Sequence, residues 1–142
     1  MKKLKILIVP ISLLLISVAV FFVIQWRQDQ ILESVLSDAI SQSETINVQE
    51  LVGFEWDKMF VFGPYTPEST IDETLQFEYG KSGALQDGYI TVLFTRNGKV
   101  IRHAVISQYS GGSYFLKRHV QAESFSPSEA IFVKSGDRFI QK

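Results

Sequence analysis

The 142-residue chain contains no cysteine, which excludes disulfides, thiolate chemistry, sulfur-ligated zinc and a lipid-modified N-terminal cysteine. Only two histidines, His103 and His119, could supply an imidazole, and neither stands beside a nucleophile motif. There is no Gly-x-Ser-x-Gly, no phosphate-binding loop and no His-Glu-x-x-His. His119 and Glu123 would share a helix face, but on a strand they lie about 13 Å apart, so no metal site is expected there. Basic residues are not in excess, and apart from Lys117–Arg118 beyond the N-terminal segment they stand singly, which argues against nucleic acid as a partner. No repeat, low-complexity tract, cofactor motif or small-molecule signature is evident.

What is present begins with a long apolar run. Ile6 to Ile24 carries no charge and is interrupted only by Pro10, Ser12 and Ser17. As a helix it spans roughly 28 Å, close to the hydrocarbon thickness of a bilayer. Lys2, Lys3 and Lys5 precede it, Arg27 follows it, and Trp26 stands at an interfacial position. The expected organisation is a cytoplasmic N-terminus at 1–5, a transmembrane signal anchor at 6–26 in contact with the lipid bilayer, and an extracytoplasmic domain at 27–142. A cleaved signal peptide is the competing reading, because Ser17-Val18-Ala19 offers small residues to a peptidase. Val20 to Ile24, however, continues the apolar run past that point, which favours a retained anchor in the cell membrane.

Charge is unevenly spread beyond the anchor. Residues 28–80 hold eleven acids against the single base Lys58, whereas residues 81–142 hold nine bases against four acids. Such halves are expected to pair across the fold; the alternative is a two-sided surface that steers a charged partner.

Hydrophobic spacing at Ile31, Leu32, Val35, Leu36, Ala39 and Ile40 predicts a juxtamembrane amphipathic helix over 27–43, with no Gly or Pro to separate it from the anchor. Residues 44–53 read as a short strand and a link, and 54–62 as a strand whose aromatic face is Phe54, Trp56, Phe60 and Phe62, interrupted by Lys58. Gly63-Pro64 ends it, and Thr66-Pro67 predicts a second helix from Pro67 to about Gln76, with Thr66 as its cap. Asn97-Gly98 between two alternating runs predicts a two-residue hairpin pairing Phe94 with Ile101, Val92 with His103 and Ile90 with Val105, which places His103 on the apolar face as a core histidine. Further strands are expected within 113–125, 130–134 and 138–140, with 126-SPSE-129 at capping-box spacing. The expected fold class is α+β: an antiparallel sheet of four or five strands with two helices packed on one face.

The stretch 54-FEWDKMFVFGPYTP-67 is the densest motif. Burial of the one face carrying Phe54, Trp56, Phe60 and Phe62 explains its aromatics and is the favoured reading; the alternative is that Lys58 marks a bulge at Asp57-Lys58, which would turn Met59 and Val61 inward and expose Phe60 and Phe62. Glu55 and Asp57, two apart on a strand, are the best carboxylate pair for acid/base work, but such pairs are common on solvated faces. Asp57, Lys58 and Tyr65 are the candidate partner-binding residues, since a charged pair near an aromatic on a turn suits recognition. This motif, with 98-GKVIRHAVI-106 and 126-SPSEAIF-132, resembles a loose group of small secreted or membrane-anchored bacterial proteins without assigned activity. The resemblance implies no reaction. The expected function is therefore a non-catalytic, membrane-anchored binding module for another envelope protein; the alternative is an inhibitor or immunity protein acting on an extracytoplasmic enzyme.

Overall fold

A computed structural model describes residues 2–107 and 122–142. The first element is one continuous helix, α1, from Lys2 to Gln42, so the apolar run and the amphipathic stretch run on without a break. Its first part is long and apolar enough to cross a membrane. Strand β1 (Thr45–Asn47) leads into a short helix α2 (Val48–Val52), closed by Gly53 in the left-handed conformation. Then come β2 (Lys58–Phe62), helix α3 (Glu68–Leu75) and the hairpin β3 (Tyr89–Arg96) and β4 (Lys99–Ser107). After the undescribed stretch follow β5 (Ala122–Phe125), β6 (Ile131–Ser135) and β7 (Arg138–Gln141). Of the expected strand over 113–125, only β5 falls within the described residues; His119, Lys117 and Arg118 lie outside them.

The fold is α+β, but its strands form two antiparallel sheets rather than one. Four strands run in the order β4-β3-β2-β5 and three in the order β1-β6-β7. The expectation of helices on a single face is also corrected. Leu32, Leu36, Ala39 and Ile40 of α1 share a core with Met59, Val61, Ile90, Val92 and Phe94, and with Ile46, Phe132 and Phe139 of the smaller sheet. Ile71 and Leu75 of α3 instead cover Phe60, Phe62 and Leu93 in a second core. The cause lies in β2 and β3, which are apolar at both parities: Met59 to Phe62 and Ile90 to Thr95 are buried without a gap. Two apolar faces require two covers.

The irregular point at Asp57-Lys58 sits between these cores. Phe54 and Trp56 belong with Met59 and Val61, so the side-chain parity reverses between 56 and 59; the single aromatic face expected over 54–62 is corrected, and the arrangement follows the alternative of a bulge there. Phe60 and Phe62 do face the other way, yet they are not exposed, because α3 lies over them. Burying each is worth about 2–3 kcal/mol. The helix itself starts one residue later than expected, and Thr66 does not cap it: its hydroxyl donates to the Gly63 carbonyl at 2.8 Å and closes the preceding turn.

The hairpin turns at Asn97-Gly98, both with positive φ (52° and 69°), which the two-residue loop requires. Arg96 pairs with Lys99 and Thr95 with Val100, but a bulge at Ile101 then moves the register by one. Phe94 therefore faces Arg102, Val92 faces Ala104 and Ile90 faces Ile106. Ala104 and Ile106 enter the core in place of His103 and Val105. His103 is thus not a core histidine; its side chain is 40% exposed, with Nδ1 3.0 Å from the Asp29 carboxylate on α1.

Candidate functional site

The 54–67 motif is first of all a clamp on the hairpin turn. The Asp57 carboxylate accepts a hydrogen bond from the Asn97 N–H at 2.6 Å, and the Asp57 N–H donates to the Thr95 carbonyl at 2.8 Å. Glu55 pairs with Arg96, and the Thr95 hydroxyl donates to the Lys58 carbonyl at 3.3 Å. Both carboxylates of the possible acid/base pair are thereby tied to the β3–β4 turn. One contact of the acidic first half with the basic second half is visible here, Glu55 with Arg96. An exposed pair of this kind is worth only a fraction of a kcal/mol.

The three candidate residues do not form one patch. Lys58 is exposed at the start of β2, next to the end of α3, and its charge acts on Glu129. β2 puts roughly 13 Å between Lys58 and Phe62. Tyr65 lies past that far end, 58% exposed, with φ 59° and its N–H donating to the Ala84 carbonyl at 2.7 Å. Asp57 and Lys58 thus stand at one end of the strand and Tyr65 at the other.

A more concave surface lies where α1 leaves its apolar run. Ile31 and Val35 of α1, Leu51 and Val52 of α2, and Phe54 line an apolar notch of about 250 Å³, with Gln28 and Arg102 also bordering it. Leu51, Val52 and Phe54 are only partly buried against the main core, and Ile31 is 60% exposed. α2 forms one wall because Val48 is buried and anchors it, while Gly53 at φ 66° ends it sharply and returns the chain to Phe54. Phe54 meets Phe94 edge-on at 5.2 Å, and the Arg102 guanidinium lies 5.7 Å over the Phe54 ring. Arg102 also donates to the side-chain oxygens of Gln25, at 2.9 Å, and Gln28. Its partners are neutral, so its charge is left to the mouth of the notch.

On the same side, α1 shields the β4 edge of the four-stranded sheet. Glu33 accepts a hydrogen bond from the Val105 N–H at 3.0 Å, and Asp29 lies 3.5 Å from the His103 N–H. These carboxylates occupy the outward amides of β4 that could otherwise pair with another strand. Burial first, and the Asp29 charge second, push the nearby Tyr79 phenol above its ordinary pKa, so it remains an O–H donor.

No family model matches the chain, and neither a curated protein nor a solved structure resembles it. The notch and Arg102 are the residues that sequence reasoning missed. Ile31 was legible as part of the amphipathic stripe; its partial exposure depends on where α2 ends, and no local pattern carries that information.

Proposed function

We propose that the chain is a single-pass membrane protein with its N-terminus in the cytoplasm, held by residues 6–26, whose outer α+β domain at 27–142 binds another envelope protein without catalysis. The observation that carries this reading is the open apolar notch beside α1, with the Arg102 charge at its mouth. At about 250 Å³ it is smaller than the roughly 300–1,000 Å³ of most small-molecule pockets, and its size suits an inserted side chain. Apolar anchors in such pockets, rimmed by Arg, carry much of the energy of protein interfaces. Gln28, Ile31 and Val35 lie within the first turns beyond the apolar run, so the favoured partner is itself attached to the membrane.

Capture of partners by cross-linking the full-length protein in its own membranes tests this. Ile31→Glu should reduce capture at least tenfold while leaving the domain's melting temperature unchanged, because Ile31 is exposed. The double variant Lys58→Ala, Tyr65→Ala serves as the comparison. Capture that survives Ile31→Glu and is lost in the double variant would move the binding surface to the two ends of β2.

A further inference from the structure

We infer that the domain holds the headgroup of an anionic phospholipid in the cleft between residues 21–29 of α1 and a cationic rim formed by Lys81, Lys99 and Arg102. The inference rests on the reading of α1 as a membrane anchor and adds a lipid contact made by the folded domain itself. The cleft, about 510 Å³, is lined by two chemically different sets of residues. The helix contributes Phe21 and Phe22, which are 56% and 66% exposed and belong to the apolar run. The domain contributes Lys81, Lys99, Arg102 and the Tyr79 ring. Apolar and cationic linings in one cleft match a molecule with acyl chains joined to a phosphate.

The depth also agrees. From Phe21 to Trp26 the helix rises about 7–8 Å, comparable with the roughly 5–8 Å headgroup layer on each side of a bilayer. Arg102 is fastened to Gln25 and Gln28, so the docking of α1 sets the height of the rim and holds it in that layer. Lys81 is exposed and lies 5.5 Å over the Tyr79 ring, and Lys99 is exposed at the start of β4. Asp29 is the carboxylate in the cleft, 3.0 Å from His103 Nδ1, and its single negative charge stands against the three cations Lys81, Lys99 and Arg102. Arg102, whose Nη1 and Nη2 already donate to Gln25, the Ile101 carbonyl and Gln28, contributes its positive charge to the rim, while the two lysines supply mobile ammonium donors. A zwitterionic headgroup carries its own cation into that field, whereas an anionic one does not, which sets the preference.

Full-length protein in a neutral detergent should be titrated with short-chain phosphatidylglycerol, short-chain phosphatidylcholine and inorganic phosphate, reading the melting temperature. Phosphatidylglycerol is expected to raise it saturably. Phosphatidylcholine and inorganic phosphate should act only weakly, the one lacking net charge and the other lacking chains for Phe21 and Phe22. Lys81→Gln with Lys99→Gln should leave the lipid-free melting temperature unchanged and weaken the phosphatidylglycerol midpoint roughly 20- to 30-fold, about fivefold per lysine near an anionic surface. Equal action of the two lipids, phosphate acting as strongly as phosphatidylglycerol, or an unaltered midpoint in the double variant would each overturn the proposal. Alkaline extraction of the same protein separates the underlying reading. Release from membranes removes the anchor whatever the titration shows, whereas retention without a phosphatidylglycerol effect removes the cleft alone.

Discussion

The two parts of α1 have the same backbone and opposite surroundings. From Ile11 to Ile24 the large apolar residues are 45–66% exposed on every side of the helix, whereas Leu32, Leu36 and Ile40 are 4%, 2% and 1% exposed. The difference follows from the polar residues. Beyond Trp26, Asp29, Glu33, Ser37 and Asp38 confine the apolar residues to one stripe, and that stripe finds a sheet. Before Trp26 no polar face exists, and the segment is long and apolar enough to cross a membrane. One helix thus joins the apolar segment to the domain core without a break.

The largest effect that would break this contrast comes from the same substitution placed in each half. Leu36→Asp buries an unpaired carboxylate and should unfold the domain. Leu14→Asp should leave the domain's melting temperature unchanged and instead disfavour membrane insertion by about 2.5–3.5 kcal/mol, read as the fraction retained after alkaline extraction. Loss of domain stability in Leu14→Asp would mean that the first half also packs on protein.

The surface that receives the second half can be tested at Trp56, which is 5% exposed and stacked edge-on at 5.3 Å against Phe94. Trp56→Ala should cost about 3–5 kcal/mol in the denaturant midpoint, a large share of a total stability of about 5–15. Its Nε1 is buried without a hydrogen-bond partner among the described residues, so Trp56→Phe removes an unsatisfied donor along with some volume and should cost clearly less. If Phe proves as damaging as Ala, the indole N–H has a partner that matters.

How much of this was legible depended on whether a local rule decided the outcome. The α+β class, the continuous helix and the Asn97-Gly98 turn were readable because hydrophobic period and positive φ are local properties. The hairpin register was not, since Val100, Ile101, Val105 and Ile106 offer apolar residues at both parities, and the bulge at Ile101 selects between them only in three dimensions. The same ambiguity in Met59 to Phe62 concealed the second core and placed both helices on one face. Lys58 was the useful anomaly: a charge interrupting an aromatic alternation did mark the point where the strand changes face. Asp57 carried no such signal, because its partner is a backbone amide forty residues away.

The smallest predicted effect concerns acid. In the turn after β5, Glu129 accepts hydrogen bonds from the Ser126 hydroxyl at 2.7 Å and the Ser126 N–H at 2.8 Å. These bonds, in that order, hold its carboxyl below the ordinary glutamate pKa, and the Lys58 charge adds to them against a small opposing effect of burial. A carboxylate whose pKa is depressed by folding binds fewer protons in the native chain than in the unfolded one. Its stabilisation is therefore complete above the unfolded value of about 4.3 and is lost as pH falls through the lower folded value. Because the group is fully exposed, solvent screens it and the contribution is modest. Melting curves of wild type and Glu129→Gln should differ slightly at pH 6 and draw together as pH falls below the ordinary glutamate range, while alkaline-resistant membrane retention is the same for both, since Ile11 to Ile24 contains no titrating group. A gap that does not narrow with falling pH would assign the difference to the geometry of the turn rather than to the charge of Glu129.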